Sequence, residues 1–266
     1  MIIQVAAELD YSFDAPTQVI LDILPAKAPD QMLLEESLTL PDLAWKRDVA
    51  PEGRRRLRGV VAGRVSIAYR GTIDNGSRLL LPPAAHQTPW TELPDAVLPF
   101  LLPSRYCPSD RFARFAGRTF GGAGDGVALV MAVMDWLAEH VDYVPGSSAA
   151  HTGAEHTFTT RSGVCRDFTH LAITFCRALG IPARAVGAYA VDLDPPDFHA
   201  VTEVYLDGAW WLVDPTRLAP VAGLVRIADG RDAADIAFMT SDGPATLLSQ
   251  AVMVSRQSAQ PVRRRA

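Results

Sequence analysis

Cys165 lies in the stretch RSGVCRDFTHLAITFCRALGIPARAVGAYA, residues 161–190, behind a Ser-Gly-Val turn and at the head of an apolar-periodic segment. A thiol at a helix N-terminus faces unpaired backbone N–H groups and the positive end of the helix dipole. Both favour thiolate over thiol, and the same N–H groups can hold an oxyanion once a carbonyl is attacked. Gly163 fits that chemistry, because a residue without Cβ lets a substrate backbone come close. A cysteine at a helix start is more often a small buried side chain than a nucleophile, so its partners decide the matter.

A nucleophilic thiol needs a general base, and the base needs an acceptor to orient it. His199 opens HAVTEVYLDGAWW after the acidic, Pro-rich VDLDPPDF, and Asp214 closes WWLVDPT. Asp207-Gly208 between them is a hairpin signal. A hairpin turning there sets the head of one strand beside the end of the next, which brings His199 and Asp214 roughly opposite each other. A lone strand-end histidine is usually structural and an Asp before Pro usually forms a turn. The three residues together make the stronger reading.

The runs GVCRDFTHLAITFCRALGIPARAVGAY and HAVTEVYLDGAWWLVDPT resemble the transglutaminase-like superfamily of papain-like thiol enzymes. The resemblance covers roughly residues 120–220. It rests on four separated motifs in order: the G-x-C-x-D-F helix start, GIPAR, the strand that begins with His199, and W-x-x-V-D-P-T. It implies Cys165 as nucleophile, His199 as general base and acid, and Asp214 as the group orienting the imidazole. One position departs from the family pattern, Val201 standing where a Trp is usual, which touches wall packing and not the base. The first third of the chain is similar to the β-rich region that precedes this core in bacterial members.

The implied activity is acyl transfer through a thioester on a peptide or protein substrate. Hydrolysis of a peptide or amide bond is the expected ending; transfer from glutamine to a lysine amine is the alternative. A catalytically silent peptide-binding module of the same fold, or a protein whose role is contact through its β-rich region, are the rivals from other classes. Tyr143 and Thr157 are candidates for a second oxyanion donor, and residues 146–162 and 192–197 for the loops that set specificity.

Other reactive side chains read as structural. Asp167 and Arg184 match family positions and are expected to hold the core together. His170 is five residues from Cys165, about 140° around a helix, a poor angle for a partner. Cys176 is eleven residues on, about 16 Å along the axis, too far for a disulfide. His151 and His156 fall in the polar run before Cys165. No C-x-x-C or H-x-x-x-H spacing accompanies these residues, so neither zinc nor any other metal or cofactor is expected. GGAGDG at 121–126 lacks the Lys-Ser/Thr of a phosphate loop.

Two kinds of element must position the three residues. Val127, Val130, Met134, Leu137 and Val141 recur at helical spacing, as do Phe168, Ala172, Phe175 and Leu179, with Gly180 and Pro182 ending the second helix. Strands are expected at 183–191, 199–206 and 209–215. The first hundred residues alternate as strands, most clearly in RVSIAYRGTID at 64–74, and TLLSQAVMVSRQ at 246–257 reads as a last strand. Seven prolines in residues 82–111 exclude long regular elements there. The expected class is α+β: a papain/transglutaminase-like core of helices on an antiparallel sheet over 111–266, after a β-rich domain over 1–110.

With 266 residues and 48% apolar content, a sizeable core can form. The net charge is −5, and the two basic clusters, residues 54–58 and 263–265, read as a solvated turn and a frayed tail rather than a nucleic-acid surface. Three cysteines at unremarkable spacing suit a reducing compartment. No basic-then-apolar leader opens the chain and no run of about 18 apolar residues occurs, so a cytoplasmic protein without membrane partners is expected.

Overall fold

In chain order, the computed structural model, which describes residues 1–257, has strands β1 (Ile2–Leu21), β2 (Met32–Thr39), β3 (Lys46–Val49) and β4 (Arg55–Asp74). Helices α1 (Ser109–Phe120) and α2 (Val127–His140) follow, then β5 (Asp142–Tyr143), α3 (Ala154–Thr160), β6 (Ser162–Gly163) and α4 (Cys165–Ala178). The chain continues with β7 (Ala183–Ala190), β8 (Phe198–Leu206), β9 (Ala209–Val213), β10 (Leu224–Gly230), α5 (Ala233–Ile236), β11 (Met239–Ser241) and β12 (Thr246–Arg256). The α+β expectation holds.

β1 and β4 are long antiparallel partners, with a register shift between Phe13 and Thr17. On β4, Val65, Ile67, Tyr69 and Ile73 are buried as their alternation requires. The strand begins earlier than the alternation does, because the basic cluster belongs to it. Arg54 is buried and grips Asp22 through two hydrogen bonds of 2.7 and 2.8 Å, Arg55 binds Glu36, and Arg58 binds Asp48. Residues 55–58 are therefore paired strand residues and Arg54, just before them, is a buried ion-pair partner, so the cluster is not a solvated turn. The cluster at 263–265 lies outside the described residues.

Strands β11 and β12 return some 230 residues later to pair with β1. One face of this sheet packs on Tyr189, Val191, Val225 and Ile227 of the second sheet, so the two units share a core.

The second sheet has the order β10-β7-β8-β9, antiparallel throughout. Asp207 and Gly208 both take positive φ, 48° and 75°, the backbone of the tight hairpin turn expected there. Helix α4 lies against β7 and β8, burying Phe168, Ala172 and Phe175 among Val130, Val133, Met134 and Leu137 of α2.

Three helices depart from the sequence reading, the shortest being α5. α1 follows the Pro-rich run directly, burying Phe112, Ala116 and Phe120 at four-residue spacing beneath an otherwise Arg-rich helix. α3 stands inside the segment read as a polar loop, and buries only Ala154 and Thr157.

Candidate active site

Cys165 is held by what surrounds the start of α4. Tyr143 and Gly163 pair across the short parallel ladder of β5 and β6, locked by Val144 N–H to Gly163 O at 2.9 Å and Asp142 N–H to Arg161 O at 2.8 Å. Asp167, fully buried, accepts the Val164 N–H at 2.9 Å and the Ser148 hydroxyl at 3.0 Å. That carboxylate at the third helical position completes the orphan donors of the first turn. Arg166 reaches Ala149 O at 2.6 Å, so the 148–150 segment is tied to the same helix start. Gly163 has a nearer constraint than substrate approach: a Cβ there would stand 2.6 Å from the Asp167 Cβ.

His199 and Asp214 meet as the hairpin predicts. The ladder ends at Thr202 and Val213, which sets Asp214 across from Val201, two residues from His199 on the same strand. His199 Nε2 lies 3.0 Å from Asp214 Oδ2, with both side chains almost fully buried. Asp214 also accepts the Thr216 N–H at 2.9 Å, the Thr216 hydroxyl at 2.7 Å and the Ala219 N–H at 3.0 Å. Burial would raise this carboxyl, but its bonds with His199 and Thr216 outweigh that and hold it below its ordinary value.

Because Nε2 faces a carboxylate it carries the proton, which leaves Nδ1 as the basic nitrogen. Among the described residues Nδ1 makes no well-formed hydrogen bond. The Cys165 thiol lines the same cavity as the ring and acts on it. Burial lowers the imidazole, and the Asp214 bond, then the Cys165 thiol, then the charges of both raise it to about 9. Cys165 and His199 line one cavity of about 340 Å³, together with Asp197 of the acidic segment.

The other thiols are set apart. Cys107 and Cys176 are fully buried, and burial pushes both up to about 12, whereas Cys165 is partly exposed. His170 is buried against Tyr106 with ring centroids 5.0 Å apart and accepts the Ala233 N–H at 3.1 Å, tying α4 to α5. Burial, then the Arg166 charge, drives it down to about 3. Arg184 binds the buried Glu203 at 2.7 Å, and Arg226 grips the other carboxylate oxygen at 2.7 Å, joining β7, β8 and β10. His151 and His156 are exposed.

Of the two suggested second oxyanion donors, Thr157 bonds within its own helix to Gly153 O and is fully buried. Tyr143 stands beside Cys165. Burial first, and then the Cys165 charge, pushes its hydroxyl up to about 12. Among the described residues no three His, Cys, Asp or Glu side chains cluster as a metal site.

Sequence reasoning passed over Thr216 and the far wall of the cavity. Asp-Pro-Thr is an Asx-type turn in which the hydroxyl two residues on returns to the carboxylate, so Thr216 carried a legible signal. The wall formed by residues 227–250 carried none.

The family model for the transglutaminase-like superfamily matches residues 113–215, the stretch that contains Cys165, His199 and Asp214. A crystal structure of a candidate cysteine protease from Cytophaga hutchinsonii is 36% identical, with a TM-score of 0.89, over 98% of this chain and 92% of that one. The chain belongs to the transglutaminase-like superfamily. The superfamily match runs from within α1 through β9, and the full-length likeness extends to the β-rich region around it. An uncharacterised protein of Mycobacterium leprae is 28% identical over 174 residues, 59% of this chain and 61% of that protein. One of Mycobacterium tuberculosis is 32% identical over 109 residues, 35% of each. The match thus spans about three-fifths of the first and about a third of the second.

Proposed function

We propose that this protein is a cysteine-dependent enzyme that hydrolyses peptide or amide bonds through a thioester, with Cys165, His199 and Asp214 as its catalytic residues. One observation carries the reading. The buried His199 spends Nε2 on Asp214, keeps Nδ1 without another partner, and shares a cavity with the one partly exposed thiol.

In the first half-reaction the Cys165 thiolate attacks the carbonyl carbon, forming the C–S bond. The tetrahedral oxyanion is met by the Cys165 N–H at the start of α4. Collapse breaks the C–N bond as the imidazolium passes its Nδ1 proton to the departing amine. Water then attacks the thioester and gives a proton to Nδ1. The C–S bond breaks, leaving a carboxylic acid and the thiolate. Asp214 keeps the ring in the one tautomer and orientation that serves both transfers, and stabilises the imidazolium. Likeness to a candidate cysteine protease over nearly the full length supports hydrolysis over transamidation.

The test is iodoacetamide labelling of the native protein at pH 6 to 7, followed by a peptide, glutamine and isopeptide library with Cys165→Ala as control. Selective labelling of Cys165, slowed by His199→Ala, and cleavage abolished in Cys165→Ala are expected. Sluggish, equal labelling of all three thiols would sink the proposal.

A further inference from the structure

The cavity beside Cys165 is walled on one side by residues that the superfamily match does not reach. Ile227 on β10, Ile236 on α5, and Phe238 and Met239 at the start of β11 line it opposite the elements that carry Cys165 and His199. Phe238 is fixed there by stacking on Phe198, ring centroids 5.0 Å apart, and Phe198 precedes His199 in the chain. Gly187, Ala188 and Ala200, from the paired strands β7 and β8, also line the space and leave it open. Its volume, about 340 Å³, is that of a small-ligand pocket.

Most polar side chains at this cavity are already engaged. Asp22 is neutralised by Arg54, and Arg166 is spent on Ala149 O and Ala150 O. Asp197 accepts from Gln250 Nε2 at 2.6 Å and from the Phe198 N–H at 2.7 Å. Among the described residues the buried Gln250 Oε1 has no partner. It suits a main-chain N–H of an extended peptide, since one acceptor cannot satisfy a whole carboxamide or ammonium group. Beyond that one acceptor a polar side chain placed here finds little to replace its lost water, whereas an apolar one gains by leaving water.

We infer that this cavity is the subsite for a bulky apolar side chain, of leucine or phenylalanine size, on the acyl side of the bond that Cys165 attacks. The inference rests on the function proposed above and adds its substrate class. The acyl side is the half that stays bound through the thioester, so a pocket contiguous with the thiol holds it through both half-reactions. The substrate is then a peptide bond following an apolar residue or one removed from it. The apolar wall that makes the choice comes from the C-terminal part of the chain, while the segment that carries the three reactive residues leaves room for the side chain through Gly187, Ala188 and Ala200.

The experiment uses the full chain and two sets of dipeptidyl fluoromethyl ketones. Leu, Phe, Gly, Gln or Lys is placed next to the ketone in one set and one residue earlier in the other. Mass spectrometry reads the rate of Cys165 modification. In one of the two sets, Leu or Phe is expected to react at least about 10-fold faster than Gly, Gln or Lys, the discrimination an apolar pocket typically gives. Ile236→Ser should reduce that preference to within about 3-fold. Met239→Gln, which keeps volume and changes polarity, serves the same purpose if Ile236→Ser misfolds. Iodoacetamide, too small to need the pocket, separates the two readings. If it labels Cys165 selectively while the ketones show no apolar preference, or favour Gln or Lys, the subsite is overturned and the thiol chemistry stands. If Cys165 reacts with neither reagent, both are overturned.

Discussion

Gly163 and Asp167 are so close that a methyl group on the first would press on the Cβ of the second at 2.6 Å. The carboxylate of Asp167 is what receives the Val164 N–H and squares the start of α4 behind Cys165. Gly163→Ala is therefore expected to displace Asp167 and turn the thiol out of line. Loss of such a cap costs about 1 kcal/mol of stability, but the iodoacetamide rate at Cys165 should fall by about 10-fold or more, since small misplacements of a reactive group cost rate steeply. Melting curves and labelling rates on the same samples check both halves.

Asp214→Asn keeps the shape of the His199 site and removes its charge. The amide can present an N–H to Nε2, which favours the wrong tautomer and leaves Nδ1 protonated in the neutral ring. A fall in kcat of about 10²–10⁴ with KM little changed is expected, by analogy with the loss on the same change in serine triads. Steady-state kinetics on a cleaved peptide would show it, and a loss under threefold would remove Asp214 from the mechanism.

His199 predicts how stability depends on pH. Its folded value of about 9 lies above its ordinary 6.5, so the folded state binds the extra proton more tightly than the unfolded chain does. This contribution is complete below about pH 6.5 and is lost as pH rises through about 9. The melting temperature of the wild type should drop by several degrees between pH 6.5 and 9.5, roughly 2–4 °C for each kcal/mol lost. His199→Gln should flatten that part of the curve. Asp214, held low, acts in the opposite direction: its contribution disappears only as the medium is acidified through its depressed folded value.

Glu203 is the buried hub between Arg184 and Arg226, with its side chain 1% exposed. Glu203→Ala leaves Arg184 with only Asp229 and Arg226 with only Asp30 as carboxylate partners, and is expected to cost about 1–3 kcal/mol, as buried donors left without their acceptor do. Urea denaturation measures this directly. The loss should be larger than for Arg58→Ala, whose partner Asp48 lies on the rim of the first sheet, where exposed pairs contribute about 0–1 kcal/mol.

Those parts of the protein that depend on neighbours in the chain were legible in its residues. Cys165 at a helix start, the helical faces of α2 and α4, and the Asp207-Gly208 turn that brings His199 to Asp214 are all set by local periodicity and turn chemistry, which act over a few residues. Helix α1 escaped because its three buried apolar residues sit among arginines, and α3 because it buries only an alanine and a threonine. The tertiary structure alone decided what is set by partners far apart in sequence. Arg54, within a run of basic residues that looked solvated, is buried because Asp22 waits 32 positions earlier. Strand β12 lies beside β1, and Gln250 on it reaches Asp197, 53 positions away, at the mouth of the cavity. Such contacts are selected by burial and charge pairing in the folded chain, where closing a long loop costs little more than closing a short one. They leave no period or motif by which the wall facing Cys165 could have been read from residues 227–250.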